Sequence, residues 1–249
     1  MPVTVREIQP SEIETVIEVL TRAFATDACY NYWGNVKPSS AITDLSNLTP
    51  ASKRTYKGLR AYHNTIVRSS VAVGALILVA VDDDTKEIKG AAIWNGPGVG
   101  TTDFPVGVLL KNGVFKTLNT WGVGALKKIF VEFTPAAEKV HKRVFKEKGL
   151  DPENSWHLVA VGVDPSAQGQ GIGPRLTIPD VVMAKGKPLH LESTSKRSRD
   201  LYIRLGYELH EELVFGKGKI NANGIAAKGP EATGYSHWVL TKWDVPKNQ

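Results

Sequence analysis

The residues best suited to chemistry lie between positions 156 and 175. They are Trp156-His157-Leu158-Val159-Ala160-Val161-Gly162-Val163-Asp164-Pro165, followed by Ser166-Ala167-Gln168-Gly169-Gln170-Gly171-Ile172-Gly173-Pro174-Arg175. An apolar, strand-like run ends at Asp164-Pro165, and a glycine-rich turn then opens a helix. Bare glycine backbone lets main-chain N–H groups approach a pyrophosphate, and a helix N-terminus favours its charge. The dinucleotide spacing GxGxxG fails here: from Gly169 the sixth position is Pro174, and from Gly171 it is Leu176. No stretch supplies GxxxxGK[ST]. Further on, Glu192 and His190 share one face of a short strand by alternation, while Leu189 and Leu191 face the other way. The same rule puts His157, Val159, Val161 and Val163 on one face of the central strand. The six histidines show neither HExxH nor a metal spacing with Cys29, so no metal is expected.

Elements that must position these groups follow in order. Residues 3–8 read as a strand. Ser11 with Glu14 forms a capping-box pattern ahead of a helix whose apolar stripe is Ile13, Val16, Ile17, Leu20 and Phe24. After an aromatic segment (Tyr30, Tyr32, Trp33) and a polar loop over 35–52, a second helix is expected over 53–69. Residues 75–81 and 88–94 form a hairpin around Asp82-Asp83-Asp84, a solvated turn without calcium-loop spacing. Residues 104–150 read as mostly helical, with Thr134 capping a helix that begins at Pro135. The central strand spans 156–163, since a residue before proline avoids the helical region. Pro179 should bend or shorten the helix after Gly173. Strand 188–193, helix 196–205, strand 208–215, a mobile excursion over 216–234 and a last strand over 235–242 complete the chain.

Composition sets bounds. The chain has 249 residues, 42% hydrophobic and 22% charged, which suits a soluble single domain, with an N-terminal half over about 1–150 and a second half over 151–249. One cysteine, Cys29, excludes an intrachain disulfide and fits a reducing, cytoplasmic setting. The sequon at Asn47 is then unused. No apolar run reaches the roughly 18 residues of a membrane span, and the first residues lack a signal-peptide layout. Net charge is +6, which suits an anionic ligand. No dense basic block or aromatic–basic pattern points to nucleic acid.

Three ordered stretches carry a family resemblance: Val161-Gly162-Val163-Asp164-Pro165 with the loop Gln168-x-x-Gly171-x-Gly173, then Leu191-Glu192-Ser193, then Leu201-Tyr202-Ile203-Arg204-Leu205-Gly206-Tyr207. Together with the hairpin and the phrase 91–98, they resemble the GNAT (Gcn5-related) acetyltransferases, fungal small-molecule members included. The resemblance implies an α/β fold with a mixed, twisted sheet of about six to seven strands flanked by helices. It also implies acetyl-CoA as co-substrate and direct transfer to a small-molecule amine, in a monomer or homodimer. Pantetheine would lie along Val161 and Val163. The pyrophosphate would sit on Gln168, Gly169, Gln170, Gly171, Ile172 and Gly173, with Arg175 as charge partner and Ser198 nearby.

In that frame Tyr202 matches the tyrosine given the general-acid role, and a phenol can return a proton to a departing thiolate. Glu192 is the first candidate base, directly or through water, and His157 the second. Tyr30 and Trp33 would wall the acceptor pocket. A catalytically silent acyl-CoA-binding module, an O-acetyltransferase and a protein acetyltransferase are the competing readings.

Overall fold

Runs of β-branched and apolar residues become seven strands: β1 (Val3–Glu7), β2 (Leu76–Asp82), β3 (Ile88–Asn95), β4 (Trp156–Val163), β5 (Leu189–Ser193), β6 (Glu208–Phe215) and β7 (Tyr235–Lys242). The computed structural model describes residues 2–99 and 104–243. The strands form one sheet in the order β1-β2-β3-β4-β5-β7-β6. Only β4 and β5 pair in parallel; every other neighbouring pair is antiparallel.

Helices α1 (Ile13–Ala23), α2 (Ala28–Trp33) and α3 (Pro50–Ala72) lie between β1 and β2. Then come α4 (Val106–Lys111), α5 (Val114–Trp121), α6 (Gly124–Leu126), a π-helical stretch (Lys127–Phe133) and α7 (Thr134–Glu147). The second half adds α8 (Ile172–Thr177), α9 (Asp180–Met183) and α10 (Lys196–Arg204). One sheet face buries Ile77, Val79, Ala91, Ile93 and Ala160 against Val16, Ile17 and Leu20 of α1 and Val67 of α3. The other buries Ala92, Trp94, Leu158, Leu189 and Leu191 against Leu176 of α8, Val182 of α9 and Tyr202 of α10. At roughly 25 cal/mol per Å² of apolar area removed from water, these two layers supply the main force that holds the sheet.

Several local expectations are corrected. The first capping box is Gln9 with Glu12, whose Oε2 accepts the Gln9 N–H at 2.8 Å. Glu14 instead pairs with Arg60 and Arg68 of α3, because Pro10 starts a short 3₁₀ turn two residues earlier. Helix α3 begins at Pro50, with the Thr49 side chain accepting from Ser52 N. Thr134 does not cap: it has helical dihedrals (φ −54°, ψ −50°) and the chain runs without a break from the π-helical stretch into α7. Pro135 lacks an N–H, and the wider turn upstream accommodates that missing bond.

The 216–234 excursion, expected to be mobile, packs on α2 and the turn after it. Asn31 Nδ2 donates to Asn223 O at 3.0 Å, Ala226 N donates to Val36 O at 3.0 Å, and Ile220 is buried. Pro179 divides the helix after the glycine loop as expected. Ile178 is forced out of the helical region (φ −132°, ψ 59°), and Pro179 heads the separate turn α9.

Candidate active site

The parallel pairing of β4 with β5 lasts only three residues, from Trp156↔Leu189 to Leu158↔Leu191. Beyond that point β4 continues toward the glycine loop while β5 turns away to Thr194. A cleft of about 1110 Å³ opens there, running from the loop and α10 at one end to α2 and α3 at the other. One irregularity sets what β4 shows to it. Ile93 pairs with Ala160, yet Trp94 pairs with Leu158, so Val159 is an extra residue in a β-bulge. The bulge resets the alternation. His157 lies on the face with His190, whereas Val161 and Val163 pack on the opposite face with Leu158. The expected single face for His157, Val159, Val161 and Val163 is therefore wrong, because strict alternation ignores an inserted residue.

The loop is pinned at both ends. Arg22 Nε of α1 meets Asp164 Oδ2 at 2.7 Å, and Trp94 Nε1 donates to Leu176 O at 3.1 Å. Close approach of α1 requires a glycine at 162, where a Cβ would sit 2.8 Å from Ala23 Cβ. Gly169 and Gly171 adopt φ of +80° and +78° with open space beside each, which bares the loop backbone. Gln168, Gly169, Gly171, Ile172 and Gly173 line the cleft; Gln170 and Arg175 do not. Gln170 is solvent-facing, and the Arg175 guanidinium donates to Val3 O on β1. Lys196 and Arg197, in the first turn of α10, line the cleft instead, and Arg197 Nη1 reaches Gln168 Oε1 at 3.4 Å. Ser195 caps α10 by accepting from Ser198 N. The Ser198 hydroxyl lines the cleft but is shared with Ser193 Oγ (2.8 Å) and Ser195 Oγ (2.7 Å).

Past the splay stands Glu192. Its Oε1 is 2.7 Å from His141 Nε2 and its Oε2 is 2.9 Å from His157 Nε2. His157 stacks on His190 at 4.5 Å with 2° between planes, and His190 Nδ1 meets Ser155 Oγ at 2.9 Å. Burial opposes ionisation of Glu192, but the charge and hydrogen bonds of the two histidines hold its carboxyl well below the usual range. Burial, with His141 and His157 alongside, pushes His190 well down. His141 was not singled out in the sequence, although its spacing with Val140, Val144 and Phe145 on α7, all buried, marks the stripe that faces the sheet.

A second carboxylate, Asp27, was also missed. It caps α2, with Oδ1 accepting from Cys29 N at 2.8 Å, while Thr194 Oγ1 donates to Oδ2 at 2.5 Å. Burial, only partly offset by these bonds, pushes its carboxyl up to about 6. Asp27 and Glu192 are the only carboxylates among the described residues lining the cleft. Tyr202, on α10, is buried and lines it too, its phenol pushed up by burial and by Asp27. At the far end Tyr30 and Trp33 line the cleft, with ring centroids 5.3 Å apart. Tyr32 is turned away and its hydroxyl donates to Glu132 at 2.7 Å.

No family model matches the chain. An uncharacterized N-acetyltransferase of Schizosaccharomyces pombe is 28% identical over 129 residues, which are 51% of this chain and 50% of that protein. The chain thus matches about half the length of this curated relative. Among solved structures, a histone acetyltransferase HPA2 and related acetyltransferase from Corynebacterium glutamicum aligns with a TM-score of 0.59 at 22% identity, covering 99% of this chain and 98% of the other. Arylalkylamine N-acetyltransferase 2 from Aedes aegypti gives 0.57 at 17%, covering 99% and 100%. The Drosophila melanogaster polyamine N-acetyltransferase, which forms N-acetylagmatine, gives 0.52 at 16%, covering 96% and 98%. At such identities the likeness shows the fold, and it is the GNAT acetyltransferase fold that the resemblance implied.

Proposed function

We propose that the protein is an acetyl-CoA-dependent N-acetyltransferase acting on a small-molecule amine by direct attack in a ternary complex. The observation that carries this reading is the early end of the β4–β5 pairing. It leaves the stretch from Val159 to Val163 open on its β5 side, between a bared glycine loop and two carboxylates. The loop fits a diphosphate on its own geometry: no side chain fills the space beside Gly169 or Gly171, and Lys196 and Arg197 border it. The pantetheine arm would lie along Val161 and Val163. Acetyl-CoA supplies an acetyl group activated as a thioester.

The two carboxylates divide the remaining work according to their surroundings. Glu192, hydrogen-bonded by His141 and His157, stays ionised and offers a fixed charge to the incoming ammonium. Its low proton affinity makes it a poor base, although sequence reasoning favours it for that role. Asp27, poised near neutrality by desolvation, takes the proton as the amine attacks. The nitrogen forms its bond to the acetyl carbon, the carbon–sulfur bond breaks as Tyr202 gives its proton to the sulfur, and the second proton shed by the nitrogen restores the Tyr202 phenol. Tyr202→Phe tests this: turnover should fall by about 10²-fold or more, the scale of general-acid catalysis, while acetyl-CoA affinity measured by calorimetry stays within twofold. Unchanged turnover removes Tyr202 from the chemistry.

A further inference from the structure

The cleft does not end at Asp27 and Glu192. It continues between α3, α4, α5 and the π-helical stretch as a chamber walled by Tyr62, Ile66, Leu109, Val114, Ile129 and Phe133. These walls interlock: Tyr62 lies 5.7 Å from Trp33, and Trp33 lies 5.4 Å from Phe133. Among the polar side chains of the lining, Thr65 of α3 and Thr117 of α5 turn their hydroxyls on each other at 3.1 Å, and Thr65 also donates to Ala61 O. They therefore offer little to a ligand. Both carboxylates of the described lining belong to the junction with the splayed strands, Glu192 being on β5 and Asp27 bonded to Thr194 just beyond it. Charge recognition is concentrated at one end and apolar surface at the other.

Resting on the acetyltransferase reading, we propose that the acceptor is an apolar monoamine, a single ammonium on an alkyl or arylalkyl body, and that the chamber selects against a second cation. The ammonium meets Glu192 and Asp27. The body enters the chamber, where each buried methylene gains on the order of 0.8 kcal/mol. A second ammonium at the far end of such a body would be stripped of water against Leu109, Ile129 and Phe133 with no described counter-charge, and desolvation of an unpaired charge is costly. That sets this chain apart from the fruit-fly relative, whose product, N-acetylagmatine, derives from a substrate with a second cation.

The test uses two amines with the same six-carbon body that differ by one ammonium, hexylamine and 1,6-diaminohexane, in a thiol-release assay with acetyl-CoA on the full chain. The value of kcat/KM for hexylamine should exceed that for the diamine by about 100-fold, as befits an unpaired buried charge. Leu109→Glu, at a half-buried wall position, should raise kcat/KM for the diamine at least tenfold and lower it for hexylamine. Equal use of both amines, or preference for the diamine, overturns the inference and leaves the acetyltransferase reading intact. Acetyl-CoA binding seen by calorimetry without turnover of any amine overturns both. Should Leu109→Glu fail to fold, the wild-type ratio decides alone.

Discussion

Replacing Asp27 with asparagine would separate the proposed proton acceptor from the proposed ammonium anchor, Glu192. In the wild type the Asp27 carboxyl is pushed up from 3.8 to about 6 by burial. An amine substrate loses its own proton near pH 10. If the substrate binds as the ammonium and Asp27 accepts the proton, kcat/KM should rise through about pH 6, stay level, and turn down only near pH 10. At pH 5 about a tenth of Asp27 is ionised, so the rate should be about a tenth of its plateau. In Asp27→Asn the same oxygen can still cap α2, yet the proposed base is gone and Glu192, held ionised by its histidines, is a poor substitute. Turnover must then wait for the rare free amine, so kcat/KM should climb about tenfold per pH unit without a plateau. At neutral pH the loss should fall in the range of about 10²–10⁴, the usual scale of general-base catalysis.

Stability carries its own sign. A carboxylate whose folded pKa is raised above its unfolded value destabilises the fold once it ionises. The contribution is most favourable below 3.8 and declines as pH rises through about 6. Asp27→Asn should therefore flatten the melting temperature across that window. The assay is thiol release from acetyl-CoA at fixed amine between pH 5 and 10, beside melting curves on the same samples. A variant that keeps the plateau and its acid limb near 6 refutes the assignment.

Other outcomes follow from the same geometry. Glu192→Gln should raise KM for the amine by about 10- to 100-fold, the worth of a hydrogen-bonded charge at roughly 1.5–3 kcal/mol, with acetyl-CoA affinity unchanged by calorimetry. Because the Glu192 pKa is depressed in the fold, the stability that it contributes is present above about 4.5 and lost as pH falls further; urea titrations of the two proteins should converge in acid. His141→Ala removes one of two hydrogen bonds to that carboxylate and should destabilise the fold by at least about 1.5 kcal/mol in urea. Gly171→Ala meets no neighbour, but its φ of +78° costs about 1–2 kcal/mol for a residue with a Cβ. Acetyl-CoA affinity should fall by about the matching 5- to 30-fold, and no loss there would separate the loop from the cofactor.

Local patterning made the strands and the glycine loop legible. Strands 156–163, 208–215 and 235–242 occupy the residues expected, and Pro179 divides the helix as its chemistry requires. What local pattern could not give was assembled across the chain. The bulge at Val159 is a matter of register with β3, and it reversed the expected facing of His157. Asp27 gains its partner from Thr194, 167 positions away, and His141 meets Glu192 only when α7 is laid on the sheet. Arg175 stood beside the loop in sequence, but a helical turn directs it to β1, while Lys196 and Arg197, distant in sequence, border the cleft. The excursion over 216–234 looked unstructured because its order comes from irregular pairing within itself, such as Gly218 N to Ala232 O, and from contacts with α2 and the turn after it, neither of which has a local period.

The most direct test of the central claim is to incubate the purified chain with acetyl-CoA and hexylamine, following thiol release and the mass of the product together. The account predicts stoichiometric free coenzyme A and N-acetylhexylamine, with both signals strongly reduced in Asp27→Asn at neutral pH. Coenzyme A binding with neither signal, across alkyl and arylalkyl amines, would contradict it.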